Sequence, residues 1–499
     1  MLVMAQSNYV AFELELEENW QQLIMVDLNG DGAKDIAHSH YQPGIGRELH
    51  IYYQSPDGSF DSTPRRIEIK TEIIAVGFAD LREEPGKELL LFANSGVFSL
   101  SSAIEGYAGN IKQLLQWDLV ATIPNLEQVQ FIENIIDIDG DGHIDLLLPG
   151  DEVFGFFKGD GAENFELISS FSTTNKSIPQ SQRGGNRGGI DANISINPEQ
   201  GLVVNLSRDS TSPYSDFIEQ WTEEESETRT LLRSESWMPS AILAQLNDDK
   251  LLDVIYLNVG DDGLGQLNIH YQNPQTGFSE TADWTGSMET RGDIQLADMN
   301  QDQQVDLLRI SGNGNDWDAR FFKNQNGKFN LEQPDQIMRF SGYDVRLSFP
   351  QIEDEGAPVL NVSYYTIPIV DAIRNASINR ISLLYGSDAS ETGQLFNRRP
   401  DTRLEDSFSA ANVRGLAEQM SLDYDIDGDG VKDALYITAN GTLAAKRIDE
   451  HLGVADQPFW EYISARTVFE FEVLNLNTDQ YPDLLLKHAN TTTLLVASP

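Results

Sequence analysis

"VDLNGDGAKDIA", residues Val26 to Ala37, sets Asp27, Asn29, Asp31 and Asp35 at positions one, three, five and nine of a loop whose sixth residue is Gly32. Acidic side chains so close together repel unless something positive lies between them. The same frame returns, matched at every position, as "DIDGDGHID" from Asp137 to Asp145 and "DIDGDGVKD" from Asp425 to Asp433. Degenerate copies are "DMNQDQQVD" from Asp298 to Asp306, "NLNTDQYPD" from Asn475 to Asp483 and "QLNDDKLLD" from Gln245 to Asp253.

Each copy is flanked by short aliphatic runs bounded by turn residues, which is the pattern of strands joined by a hairpin. Three fainter stretches share it: 71–90, "IDANISINPEQGLVVNLS" from Ile190 and "VRLSFPQIEDEGAPVLNVSYY" from Val345. Nine candidate repeats then begin near 27, 80, 137, 195, 245, 298, 350, 425 and 475. Their spacing is roughly 50 to 57 residues with one gap of about 75, a period that marks a propeller or array.

Between the first two loops the chain reads as four strands, "KDIAHSHY", "ELHIYYQ", "RRIEIK" and "EIIAVGF", and four antiparallel strands make a propeller blade. The expected fold is therefore all-β: a β-propeller of seven to nine four-stranded blades occupying 7–499, with an insertion at about 365–415. The run "AFELELE" near the start supplies a lone fourth strand for the last repeat, so pairing of the two ends closes the ring and removes free sheet edges.

Hard cations such as calcium take six to eight oxygens, and alternate residues of a tight loop turn theirs toward one centre. Side chains at positions one, three, five and nine and the carbonyl of position seven form such a set. The candidate ligands are Asp27, Asn29, Asp31, Ala33 (carbonyl) and Asp35; Asp137, Asp139, Asp141, His143 (carbonyl) and Asp145; and Asp425, Asp427, Asp429, Val431 (carbonyl) and Asp433. Asp298, Asn300, Asp302, Gln304 (carbonyl) and Asp306 form a fourth set lacking the turn glycine, which Gln303 replaces. Occupancy at Asn475 is left open, and none is expected at Gln245, where Lys250 stands as a substitute cation. An EF-hand requires Glu at position twelve, but that position holds His38, Leu148 and Tyr436. About three to five structural calcium ions are expected. The alternative is a set of Asx-rich hairpin turns that hold no metal.

These loops resemble the calcium-binding FG-GAP or VCBS-type repeats of the integrin α-subunit propeller and of many secreted bacterial proteins. The resemblance extends through the repeat period over nearly the whole chain. It implies a binding or adhesion module.

Composition narrows the partners. The 499 residues carry 34 basic and 79 acidic side chains, a formal net charge of −45. That excludes the basic footprint that nucleic acid requires. No cysteine is present, so disulfides and thiolate chemistry are absent. No apolar run reaches the roughly 18 residues of a membrane span. Residues 1–6 of "MLVMAQSNYV" read as the end of a truncated export signal, with an ordinary start methionine as the alternative. A secreted, periplasmic or cell-surface location follows from the signal reading.

Other features admit two readings. Arg291, Gly292 and Asp293 form a tripeptide that integrins recognise on loop tips, yet one so short also arises by chance. His38 and His40 share a strand face beside Tyr41, either as a proton-transfer pair or as packed strand residues. Arg183, Arg187, Arg398, Arg399 and Arg403 are set to clamp carboxylates of an acidic polysaccharide or to decorate solvated connections. Trp221, Trp237, Trp284, Trp317 and Trp460 are sugar-stacking platforms or interblade core, and "IVDAIRNASI" is a short helix candidate. No Ser/His/Asp pattern, phosphate-cradling loop or H-E-x-x-H motif occurs. The leading expectation is a calcium-stabilised module binding polysaccharide or cell-surface protein, of unknown oligomeric state. The second is an extracellular polysaccharide lyase or hydrolase on the same scaffold.

Overall fold

The computed structural model describes the chain outside residues 1–8, 15–22, 56–57, 62, 120–128, 133–134, 174–189, 198–200, 209–240, 250, 260–263, 290–292, 314, 354–355, 368–376, 388–392, 410–419, 478–480, 489–490 and 498–499. Eight four-stranded antiparallel sheets follow one another along it. Blade 1 consists of Leu23–Val26, Asp35–Gln42, Gly46–Tyr52 and Arg65–Ile69, called strands a to d. The same order recurs within 73–116, 135–172, 242–289, 293–341, 343–409 and 421–462, and blade 8 lies within 470–497. Its fourth strand is Tyr9–Leu14, which pairs antiparallel with Thr492–Ala497, Tyr9 opposite Ala497 and Leu14 opposite Thr492. The ends of the ring therefore close as the sequence indicates.

Period-two alternation accounts for the packing. Along strand b of blade 1, Ile36 turns toward blade 8 and Ala37 toward blade 2. Both faces of the middle strands are thus buried, so apolar side chains fill much of their length and the polar ones among them, such as His38 and His50, are buried as well. Outer strands such as Trp284–Glu289 and Gln336–Ser341 instead alternate between buried and solvent-facing residues. Eight apolar clusters, each built from two successive blades, run round the ring: blades 1 and 2, 2 and 3, and onward to 8 and 1. The core is a set of interblade seams.

Three features depart from the expectation. Of the nine candidate repeats, the one near 195 is no blade. Among the described residues Ile190–Asn197 and Gly201–Arg208 pair only with each other, as a two-stranded hairpin between blades 3 and 4. The flanking loops at 137 and 245 lie about two repeats apart, which explains why spacing counts a copy between them. The blade boundaries are also shifted, because Ile73–Ala79, within the fourth predicted strand of the first repeat, opens blade 2. Finally, Gln130–Phe131 adds a short parallel strand to that blade. The long gap before 425 holds Ser377–Tyr385 and Thr402–Ser409, strands c and d of blade 6. Of the helix candidate, 369–376 lies outside the described residues, and Ser377 and Ile378 open strand c. Among the described residues there is one 3-10 turn, Glu105–Tyr107, and no α-helix. No helix there is long and apolar enough to cross a membrane.

Candidate metal centre

The motif loops are the a–b hairpins, and they share one face of the ring. Several are stitched to the next: the N–H groups of Lys87, Val305, Lys432 and Lys34 donate to the carbonyls of Leu28, Gln245, Ile352 and Leu476 in the preceding blade. The 27–35 loop meets its neighbour so closely that a Cβ on Gly30 would lie 2.5 Å from the Gly86 nitrogen.

Within each loop the side chains organise the backbone. Asp27 accepts N–H bonds from Gly30 (2.7 Å) and Gly32 (2.9 Å), and Asp31 accepts one from Ala33 (2.9 Å). Asp137 and Asp425 accept the same pair, from Gly140 and Gly142 and from Gly428 and Gly430, at 2.7 to 2.8 Å. Gly32, Gly142 and Gly430 adopt φ near 90°, a left-handed conformation costly to any residue with a Cβ. In the Asp298 loop Gln301 and Gln303 are held at φ 62° and 68°. The turn survives without its glycines.

The ninth position has a second role. Asp35, Asp145, Asp306 and Asp433 are buried and accept from the N–H of the apolar second residue, Leu28, Ile138, Met299 or Ile426, at 2.8 to 3.2 Å. Three of them also reach strand c or the connection after it: Asp35 to Gln54, Asp145 to Gly159 and Asp306 to Asn324. Asp253 and Asp483 do likewise, and Glu88 accepts from Leu81 at 2.8 Å. The carboxylate is a clamp across its own blade, in loops with and without the full motif. Each oxygen has two lone pairs, so clamping and metal ligation are compatible. Burial pushes Asp35 up to about 6 and Asp306 and Asp433 up to about 7.

Ligand atoms of Asp137, Asp139 and Asp145, and of Asp425, Asp427 and Asp433, lie within 4.8 Å of one another. Cationic side chains flank both sets: Lys158 pairs with Asp139 and, at 2.8 Å, with Asp141, and Arg447 binds Asp427 Oδ2. The other Asp427 oxygen, Oδ1, is buried without a hydrogen-bond partner. A buried anionic oxygen left unpaired is expensive, so this donor set fits a hard cation. In the 27–35 loop Asn29 donates to Asp31 Oδ2 at 3.0 Å, and Asn300 repeats this on Asp302.

The remaining candidates are dispersed. Trp317 and Trp460 are buried in interblade clusters and Trp284 packs partly against one. They are core residues. Arg398 and Arg399 are exposed, and Arg403 pairs with Glu405 at 3.1 Å. Arg183, Arg187, Arg291, Gly292, Trp221, Trp237 and Lys250 lie outside the described residues. His38 is fully buried and His40 nearly so. They share a face with His50 and Glu48, which sequence reasoning passed over because only the hairpin register brings strands b and c together.

The sequence matches no family model and no curated protein. Among solved structures it is similar to an exotype rhamnogalacturonan lyase, YesX, at a TM-score of 0.35 and 12% identity over 97% of this chain and 75% of that one.

Proposed function

We propose that this chain is a calcium-binding propeller of the FG-GAP or VCBS type, serving as a binding or adhesion module for polysaccharide or protein ligands. The observation that carries the calcium assignment is Asp427 Oδ1, a buried carboxylate oxygen with no donor, inside the Asp425/Asp427/Asp433 group. Asp425, Asp427, Asp429, Asp433 and the Val431 carbonyl would hold one ion there. The corresponding residues of the 27, 137 and 298 loops would hold three more. The oxygen-only donor sets favour calcium over softer metals. Calcium would stiffen the a–b hairpins, which touch their neighbours round one face, and so fix that face for recognition. Shallow, solvent-exposed loops suit the weaker affinities of extracellular calcium modules, consistent with a secreted, periplasmic or cell-surface location.

The test is a glycan array and a cell-surface protein panel probed with wild-type protein in calcium and in EGTA. Calcium-dependent retention of a ligand, lost in Asp425→Ala, is expected. Retention unaffected by EGTA would remove calcium from the recognition mechanism.

A further inference from the structure

Away from the motif loops, strands b and c of blade 1 place three histidines and a glutamate on one face. His38 is opposite His50 and His40 is opposite Glu48 in the strand register. Alternation puts all four on the side of Ile36 and Tyr52, which pack against blade 8 at the seam where the chain ends close the ring. His50 Nε2 lies 3.1 Å from Glu48 Oε2, and the His40 ring stacks on that of His50 with centroids 4.1 Å apart. Donor atoms of His40, Glu48 and His50 are all within 4.8 Å of one another. His38 Nδ1 donates to the Ser39 carbonyl at 3.0 Å, which orients the third ring.

We propose that His40, Glu48 and His50 form a site for a borderline transition-metal dication, zinc by preference, at the blade 1–blade 8 seam. Two imidazoles with one carboxylate are a zinc donor set and a poor one for calcium or magnesium. Tetrahedral zinc with bonds of about 2.0 Å has ligand atoms about 3.3 Å apart, so the His50–Glu48 separation already suits it. With all three donor atoms within 4.8 Å of one another, a ring movement of His40 by at most about 1.5 Å would bring its nitrogen to the same spacing. Exposure falls from 8% at His40 and Glu48 to 3% at His50 and 0% at His38. The ion would therefore enter from the b–c turn, and a fourth position would remain there for water or a ligand.

The site is independent of the calcium loops and is tested with calcium present throughout. Protein treated with 1,10-phenanthroline, which strips transition metals and leaves calcium, is titrated with Co2+ and its visible d–d absorption is recorded. Saturation at one equivalent, bleached by Zn2+, is expected. Binding should weaken at least tenfold in His50→Gln and Glu48→Gln and be unchanged in His451→Gln, whose side chain is exposed. No band in wild type, or the same band in the first two variants, would overturn the assignment. If those variants do not fold, wild-type protein decides: equimolar Zn2+ should protect His40 from diethylpyrocarbonate, and equal labelling with and without zinc would refute the site.

Discussion

Arg447 binds only one oxygen of Asp427. Its Nε and Nη2 reach Oδ2 at 2.9 and 2.5 Å, while Oδ1 is buried with no donor. A guanidinium answering one oxygen leaves the other as the natural point of attachment for an ion. Replacing Asp427 by Asn keeps the shape and removes the charge, and it should cost about one calcium per molecule in equilibrium dialysis. Unchanged stoichiometry would remove this loop from the set.

Lys158 lies against Asp139 and Asp141 of the 137 loop, and those carboxylates raise its own pKa. For the calcium ion proposed in this loop it would be a built-in competitor. Lys158→Met should tighten calcium binding there by about two- to fivefold, the scale of a partly exposed ion pair, measured by calorimetry. Weaker binding would show that the ammonium assists the loop.

Gln303 occupies a left-handed position, φ 68°, where three other loops carry glycine. Such strain costs about 1 kcal/mol or more. Gln303→Gly should stabilise the protein by about that amount in urea unfolding, and Gly142→Gln should destabilise it similarly. Equal stabilities would mean the turn is relaxed.

Asp483 takes N–H bonds from Leu476 and Ala497, both at 2.7 Å, in the blade that closes the ring. Removing a buried carboxylate that satisfies two backbone donors costs about 2–4 kcal/mol. Asp483→Ala should show that loss equally in calcium and in EDTA. Asp425→Ala should lose its Gly428 and Gly430 N–H bonds in EDTA and distinctly more stability in calcium. A calcium-dependent cost at Asp483 would instead make it a ligand.

Burial drives Asp253 up from 3.8 to about 7. Between those values the folded chain holds a proton that the unfolded chain releases, so this group's contribution to stability falls as pH rises from about 4 to 7 and is level above. Buried His38 and His270, pushed down by desolvation, act oppositely, destabilising the fold as pH drops below about 6.5. The difference between wild type and Asp253→Asn isolates the carboxyl. In calcium, wild type should gain on the variant as pH is lowered from 7 to 4. A constant difference would contradict the shift.

Much of this was legible in the spacing of Asp27, Asp137, Asp298 and Asp425, because an a–b hairpin needs an acceptor at position nine and a sharp turn at six. That chemistry leaves a mark on sequence even where metal is not expected, as at Gln245. The hairpin at 190–208 misleads because its strand alternation falls midway between the loops at 137 and 245, where the period calls for a repeat, whereas membership of a blade depends on strand partners that no local pattern shows. Glu88 shows the converse. It takes the clamp role of the missing Asp with a longer side chain, invisible to a search for aspartate. His50 and Glu48 depend on hairpin register, which no linear motif encodes.

The central claim is that divalent ions hold the a–b loops. Its most direct measurement is a paired thermal unfolding and calorimetric calcium titration of EDTA-stripped wild-type protein. The account expects about three to five bound ions and a melting temperature that climbs with calcium and returns with EGTA. Superimposable melting curves with no heat of binding would contradict it.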